Sequence, residues 1–210
     1  MNYWNEGLVT SSDPVTENRN LFYAEYLALG GVDQGFNSFM HQKQLPNGLY
    51  LRSSLHTNRT VSHDEITGWM ASSYILKTGH KLEIWKTLLS NYGAYPAVVK
   101  DFTDKLPYNP GNYYSWASYA GSASKYLFLP MYFINLLIAI AKEKQNTSSK
   151  IIYWLELSTM PKTWINLQMK KIFEAKMKSQ YGEKWLESLF SIYFANESRT
   201  DFPIWKEILK

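Results

Sequence analysis

Apolar residues recur along most of this chain at steps of three and four, the period of a helix that buries one face. The clearest case is residues 62–77. Ser62 and Glu65 form an S-x-x-E capping box, in which each side chain bonds the other residue's backbone N–H. Ile66, Trp69, Met70 and Ser73 then share one face, and Gly79 is the expected stop. A second helix is expected over residues 81–91, with Leu82, Trp85, Leu88 and Leu89 on one side. Helical spacing resumes near Trp116 and runs to Lys144, with an interruption at Gly121 or Pro130. Residues 148–158, 161–179, 183–195 and 201–208 complete the later set, with Pro161 suited to a first turn. Trp164, Leu167, Ile172 and Phe173 have the spacing of a helix packed on a common core.

Upstream, residues 19–29 predict an apolar helix stopped by Gly30-Gly31, and a short helix follows around residues 36–43. Residues 1–18 lack periodicity and read as an irregular N-terminal arm. Residues 92–114 hold Gly93, Pro96, Pro107, Pro110 and Gly111, so a short helix near residues 97–103 sits inside a long loop. Strand alternation is nearly absent. The pattern predicts an all-α chain, about eight helices in one compact domain over residues 19–210, with helix pairs as in an α/α toroid.

Composition narrows the chemistry. The 210 residues include no cysteine, which excludes disulfides and thiolate chemistry. Aromatic residues reach 16%, with 16 Tyr and 8 Trp. The net charge of +4 belongs to the C-terminal third, where Lys142, Lys144, Lys150, Lys162, Lys170, Lys171, Lys176 and Lys178 recur at helical spacing. Only four arginines occur in the chain, so this pattern predicts a solvated helix face rather than a nucleic-acid surface. Residues 126–141, YLFLPMYFINLLIAIA, are the most apolar run. They fall short of the roughly 20 residues of a membrane span and predict a buried core helix. The start of the sequence carries no basic-then-apolar signal pattern, so no signal peptide is expected.

Three groups of residues are candidates for chemistry. His63, Asp64 and Glu65 stand at an expected helix N-terminus, where the macrodipole favours carboxylates. Capping explains Ser62 and Glu65, and dipole preference explains Asp64; His63 is left as a proton shuttle. Glu25 lies among Leu21, Phe22, Tyr26 and Leu29, so it is either ion-paired, to Arg52 or Arg59, or desolvated into a general acid. If Glu25 and Asp64 shared a cleft, they would match the paired carboxylates of a glycosidase, with Tyr50 and Arg52 as substrate anchors. The third group is the aromatic segment of residues 108–116, in which Tyr113 and Trp116 suit either sugar stacking or core packing. The four histidines show no H-x-x-x-H or H-E-x-x-H spacing, and no metal or other cofactor is expected.

Two segments carry a resemblance. Asn20-Leu21-Phe22-Tyr23-Ala24-Glu25-Tyr26 resembles the N-x-L-F-x-A-E-Y opening of a loose group of uncharacterised bacteriophage proteins. Gly48-Leu49-Tyr50-Leu51-Arg52 followed by Ser62-His63-Asp64-Glu65-Ile66-Thr67-Gly68 resembles their G-L-Y-x-R and S-H-D-D-x-T-G stretch, with Glu65 where Asp is more common. The resemblance covers residues 20–72 and implies a viral origin without implying a reaction. Two functions are therefore carried forward. One is a virion-associated or accessory structural protein, in the virion or host cytoplasm, that binds other virion proteins or itself. The other is a carbohydrate-active hydrolase or lyase using Glu25, His63 and Asp64. Neither nucleic acid nor a membrane is an expected partner.

Overall fold

The computed structural model describes residues 4–5, 8–9, 63–90, 110–141 and 147–196. The fold is all-α. Among the described residues there are seven helices: α1 (His63–Ile75), α2 (His80–Ser90), α3 (Pro110–Tyr119), α4 (Lys125–Ala141), α5 (Thr147–Thr159), α6 (Trp164–Tyr181) and α7 (Trp185–Asn196). Two short strands, β1 (Trp4–Asn5) and β2 (Leu8–Val9), pair antiparallel with Trp4 opposite Val9. They stand where the sequence reads as an irregular arm. The expected helices over residues 19–29, 36–43, 97–103 and 201–208, and the Ser62 cap, lie outside the described residues.

The packing has two halves. In the first, α3 lies against α1, α2 and α4, and α1 lies against α2. Trp85, Tyr113, Trp116 and Phe128 join rings across α2, α3 and α4 with centroids 5.0 to 6.5 Å apart. In the second half, α5, α6 and α7 pack mutually, and Trp154, Phe173, Trp185 and Phe190 form their aromatic centre. Contacts of α5 with α1 and α4, and of α6 with α4, fuse the halves into one hydrophobic core. Edge-on ring pairs of this kind add stabilisation beyond their buried area.

Helix α1 buries the expected Ile66, Trp69, Met70 and Ser73, but Thr67, Ala71 and Ser72 are buried as well, so this stretch is enclosed all round rather than on one face. Its stop differs. Lys77, not Gly79, takes the left-handed conformation, with φ of 57°. The Thr78 N–H reaches the Ser73 carbonyl and the Lys77 N–H reaches Tyr74, which is a Schellman closure with a lysine at the position that favours glycine. The turn after α3 uses the same closure with Gly121 at φ of 72°. The interruption between residues 116 and 144 is thus at Gly121, while Pro130 is accommodated inside α4.

Three other elements depart from the sequence reading. Helix α2 buries His80, Ile84, Trp85 and Leu88, whereas Leu82 and Leu89 are exposed. Helix α3 begins at Pro110 rather than near Trp116. Proline suits this first position, because its missing N–H has no partner inside the helix. Helix α6 begins only after Thr163, whose hydroxyl accepts from the Asn166 N–H, so Pro161 precedes the cap instead of entering the first turn. The buried stripe of α6 is Asn166, Met169, Phe173 and Met177. Trp164, Leu167 and Ile172, assigned to the core from their spacing, face outward, with Trp164 74% exposed.

Candidate functional site

The residues singled out for catalysis are not assembled by the described structure. Glu25, Tyr50 and Arg52 lie outside the described residues. His63 and Asp64 open α1, and their side chains also lie outside the description. Tyr113 and Trp116 are placed in full, and both are core residues. The Trp116 indole N–H donates to the Thr67 hydroxyl at 2.9 Å, tying α3 to α1. The Tyr113 ring is stacked among Trp85, Trp116 and Phe128. Their apolar area is committed to packing, the second of the two roles their chemistry suits.

A different carboxylate occupies the centre of the molecule. Glu156 on α5 is 2% exposed. Its Oε1 accepts from the Ser115 hydroxyl of α3 and its Oε2 from the Tyr132 hydroxyl of α4, each at 2.9 Å. One helix thereby fastens two others. Next to it the Tyr119 hydroxyl donates to Thr159 at 2.6 Å, and the Thr159 hydroxyl donates in turn to the Leu155 carbonyl at 2.7 Å. On the α6 side, the Tyr114 hydroxyl donates to Asn166 Oδ1 at 2.6 Å, and Asn166 Nδ2 donates to the Pro161 carbonyl. That arrangement explains how α6 carries an asparagine on its buried face.

The environment locks these phenols in their neutral form. Burial, reinforced by the nearby Glu156 carboxylate, lifts the ionisation of Tyr119, Tyr132 and Tyr153 well above the usual tyrosine range. Burial pushes Tyr114 up to about 12. The Tyr114, Tyr119 and Tyr132 hydroxyls therefore act as donors at neutral pH. The array ties α3, α4 and α5 together through buried hydrogen bonds. The sequence carries a sign of this site that its motifs do not. Glu156 is the only charged residue between Lys150 and Lys162, the same pattern that drew attention to Glu25. Lys150, read as part of a solvated face, is itself fully buried, with its ammonium 2.9 Å from the Tyr181 hydroxyl and over that ring.

The surface feature with most capacity to bind is α4. Its inner face carries Tyr132, Leu136, Ala139 and Ile140 into the core. Its outer face carries Leu127, Met131, Ile134 and Ile138, flanked by Tyr126, Phe133 and Leu137, all exposed. Leu127 is 79% exposed and Ile134 48%. The expectation of a fully buried helix over residues 126–141 therefore holds for only one side. No described helix is long and apolar enough to cross a membrane. Among the described residues no three His, Cys, Asp or Glu side chains converge as a metal site would require. Comparison of the chain with protein-family models, curated proteins and solved structures returns no match.

Proposed function

We propose that this chain is a structural or binding protein, virion-associated or accessory to particle assembly, that works by docking a protein on the outer face of α4. The observation that carries the reading is that face itself: seven large apolar side chains on one helix, all open to solvent. Contiguous exposed apolar surface of this extent marks interaction sites on folded proteins, because solvating it gains nothing for the fold. The interior supports a non-catalytic role. Its polar groups hold helices together, and its phenols stay neutral. The viral setting is supported by the resemblance of residues 20–72 to bacteriophage sequences.

The test is co-purification. Tagged chain is expressed during particle production, and purified particles are assayed for it by mass spectrometry. Wild-type chain is expected in the particles, and Ile134→Lys chain is expected to stay behind although folded. A wild-type chain absent from particles that also associates with no protein contradicts the proposal.

A further inference from the structure

Resting on that reading, we infer that the protein docked on α4 is a second copy of this chain, the two α4 helices packing antiparallel about a twofold axis. Leu127, Met131, Ile134 and Ile138 follow one another at steps of four, three and four. This is the apolar spacing of a two-helix seam, and it reads the same in both directions. Antiparallel pairing sets Leu127 against Ile138 of the second copy, and Met131 against Ile134 of the second copy. A twofold contact requires such self-complementarity, since one patch must serve as both halves of the interface.

Area and charge agree with this occupant. The seven outer side chains expose roughly 700 Å², against about 800 Å² per partner in an interface of standard size. No charged side chain occurs between Lys125 and Lys142, so the seam brings neither like charges nor an unpaired charge into contact. Antiparallel α4 helices also set each macrodipole against its opposite. A bilayer surface fits less well. An interfacial helix turns lysine and arginine away from its apolar face, whereas the opposite side of α4 is the protein core.

The cysteine-free chain permits a direct test on all 210 residues. Leu127→Cys and Ile138→Cys variants are prepared separately, then treated with a short bis-maleimide alone and after mixing. Antiparallel pairing places the two Leu127 positions about 16 Å apart along the axis. The expected result is efficient cross-linking in the mixture and little with either variant alone, together with a dimeric mass for wild type in sedimentation equilibrium. Cross-linking of each variant with itself indicates parallel pairing and overturns the proposal. A monomeric wild type also overturns it, and maleimide labelling of Ile138→Cys then locates the failure. Fast labelling leaves α4 open for a different protein, so the wider reading survives. Slow labelling means the chain covers its own face, and both fail. Co-sedimentation of a monomer with phosphatidylcholine vesicles overturns the proposal in favour of a lipid surface.

Discussion

Glu156 and the outer row of α4 are placed the opposite way round from what transfer free energies favour. The carboxylate is buried, and seven large apolar side chains are in solvent. The two exceptions have different explanations. Glu156 is accounted for inside the molecule, because Ser115 and Tyr132 donate to its two oxygens and neighbouring hydroxyls are satisfied in turn. Nothing comparable within the described residues accounts for Leu127, Met131, Ile134 and Ile138. A buried polar group with its partners present is a device of the fold. An exposed apolar row on an otherwise well-packed helix points away from the fold, toward a second molecule.

The contrast is sharpest on α4, which serves both regions. Tyr132 faces inward to Glu156, and Met131 beside it faces outward. Substitutions one residue apart should therefore have unlike consequences. The largest loss is expected for Glu156→Ala, which strips the acceptor from the buried Tyr132 hydroxyl, leaves the Ser115 hydroxyl only the Asn112 carbonyl, and opens a void. It should cost about 3 kcal/mol or more. In a chain of this size that lowers the melting temperature by about 6 °C or more. Loss of less than about 1 kcal/mol would show that the node does not hold the helices together.

Alkaline pH probes the same node without mutation. Tyr114, Tyr119, Tyr132 and Tyr153 all ionise at higher pH in the folded chain than in the unfolded one. Above the unfolded value of about 10, the unfolded chain releases protons that the folded chain retains. Their contribution is thus complete below pH 10 and is lost as pH rises through the folded values. Melting temperature should fall steeply from pH 10 to 12, and phenolate absorbance for these groups should appear together with loss of helix. Full phenolate absorbance with helix intact would contradict the buried network. Tyr132→Phe removes one donor to Glu156 and should cost about 1–3 kcal/mol in denaturant unfolding. No loss would mean that this hydroxyl is dispensable.

The two Schellman turns give a smaller pair of effects with opposite signs. Gly121→Ala forces a Cβ into left-handed backbone and should destabilise by about 1 kcal/mol. Lys77→Gly relieves the corresponding strain and should stabilise by up to about 1 kcal/mol. Chemical denaturation of the two variants beside wild type checks both signs, and equal shifts in one direction would contradict the assigned turns.

These sites also show what a single sequence reveals. Spacing places Ile66, Trp69, Met70 and Ser73 of α1 in the core, but it does not reveal that Thr67, Ala71 and Ser72 on the other side are buried too. It misassigns α6, where apolar residues occur all round and period cannot choose a face. The choice falls to Asn166, which is buried because Tyr114, 52 residues earlier, supplies its hydrogen bond. The Glu156 node is hidden for the same reason, since its donors lie 41 and 24 residues away. Lys77 shows the local form of the limit: a glycine two residues later reads as the stop, but the left-handed turn falls at the lysine. The outer row of α4 is visible in the sequence as apolar residues; which of them face solvent is decided by the neighbours of Tyr132 and Leu136.

The claim that the outer row of α4 serves a second molecule and not the chain's own core is tested most directly by melting Ile134→Asn and Leu136→Asn beside wild type over a hundredfold dilution series. Association stabilises wild type only while the partner copy is present, so the gap between wild type and Ile134→Asn should close on dilution. The Leu136→Asn gap should persist at every concentration, because that side chain is in the core. An Ile134→Asn chain that stays as destabilised as Leu136→Asn at every dilution would place the outer row inside the monomer's own fold and contradict the account.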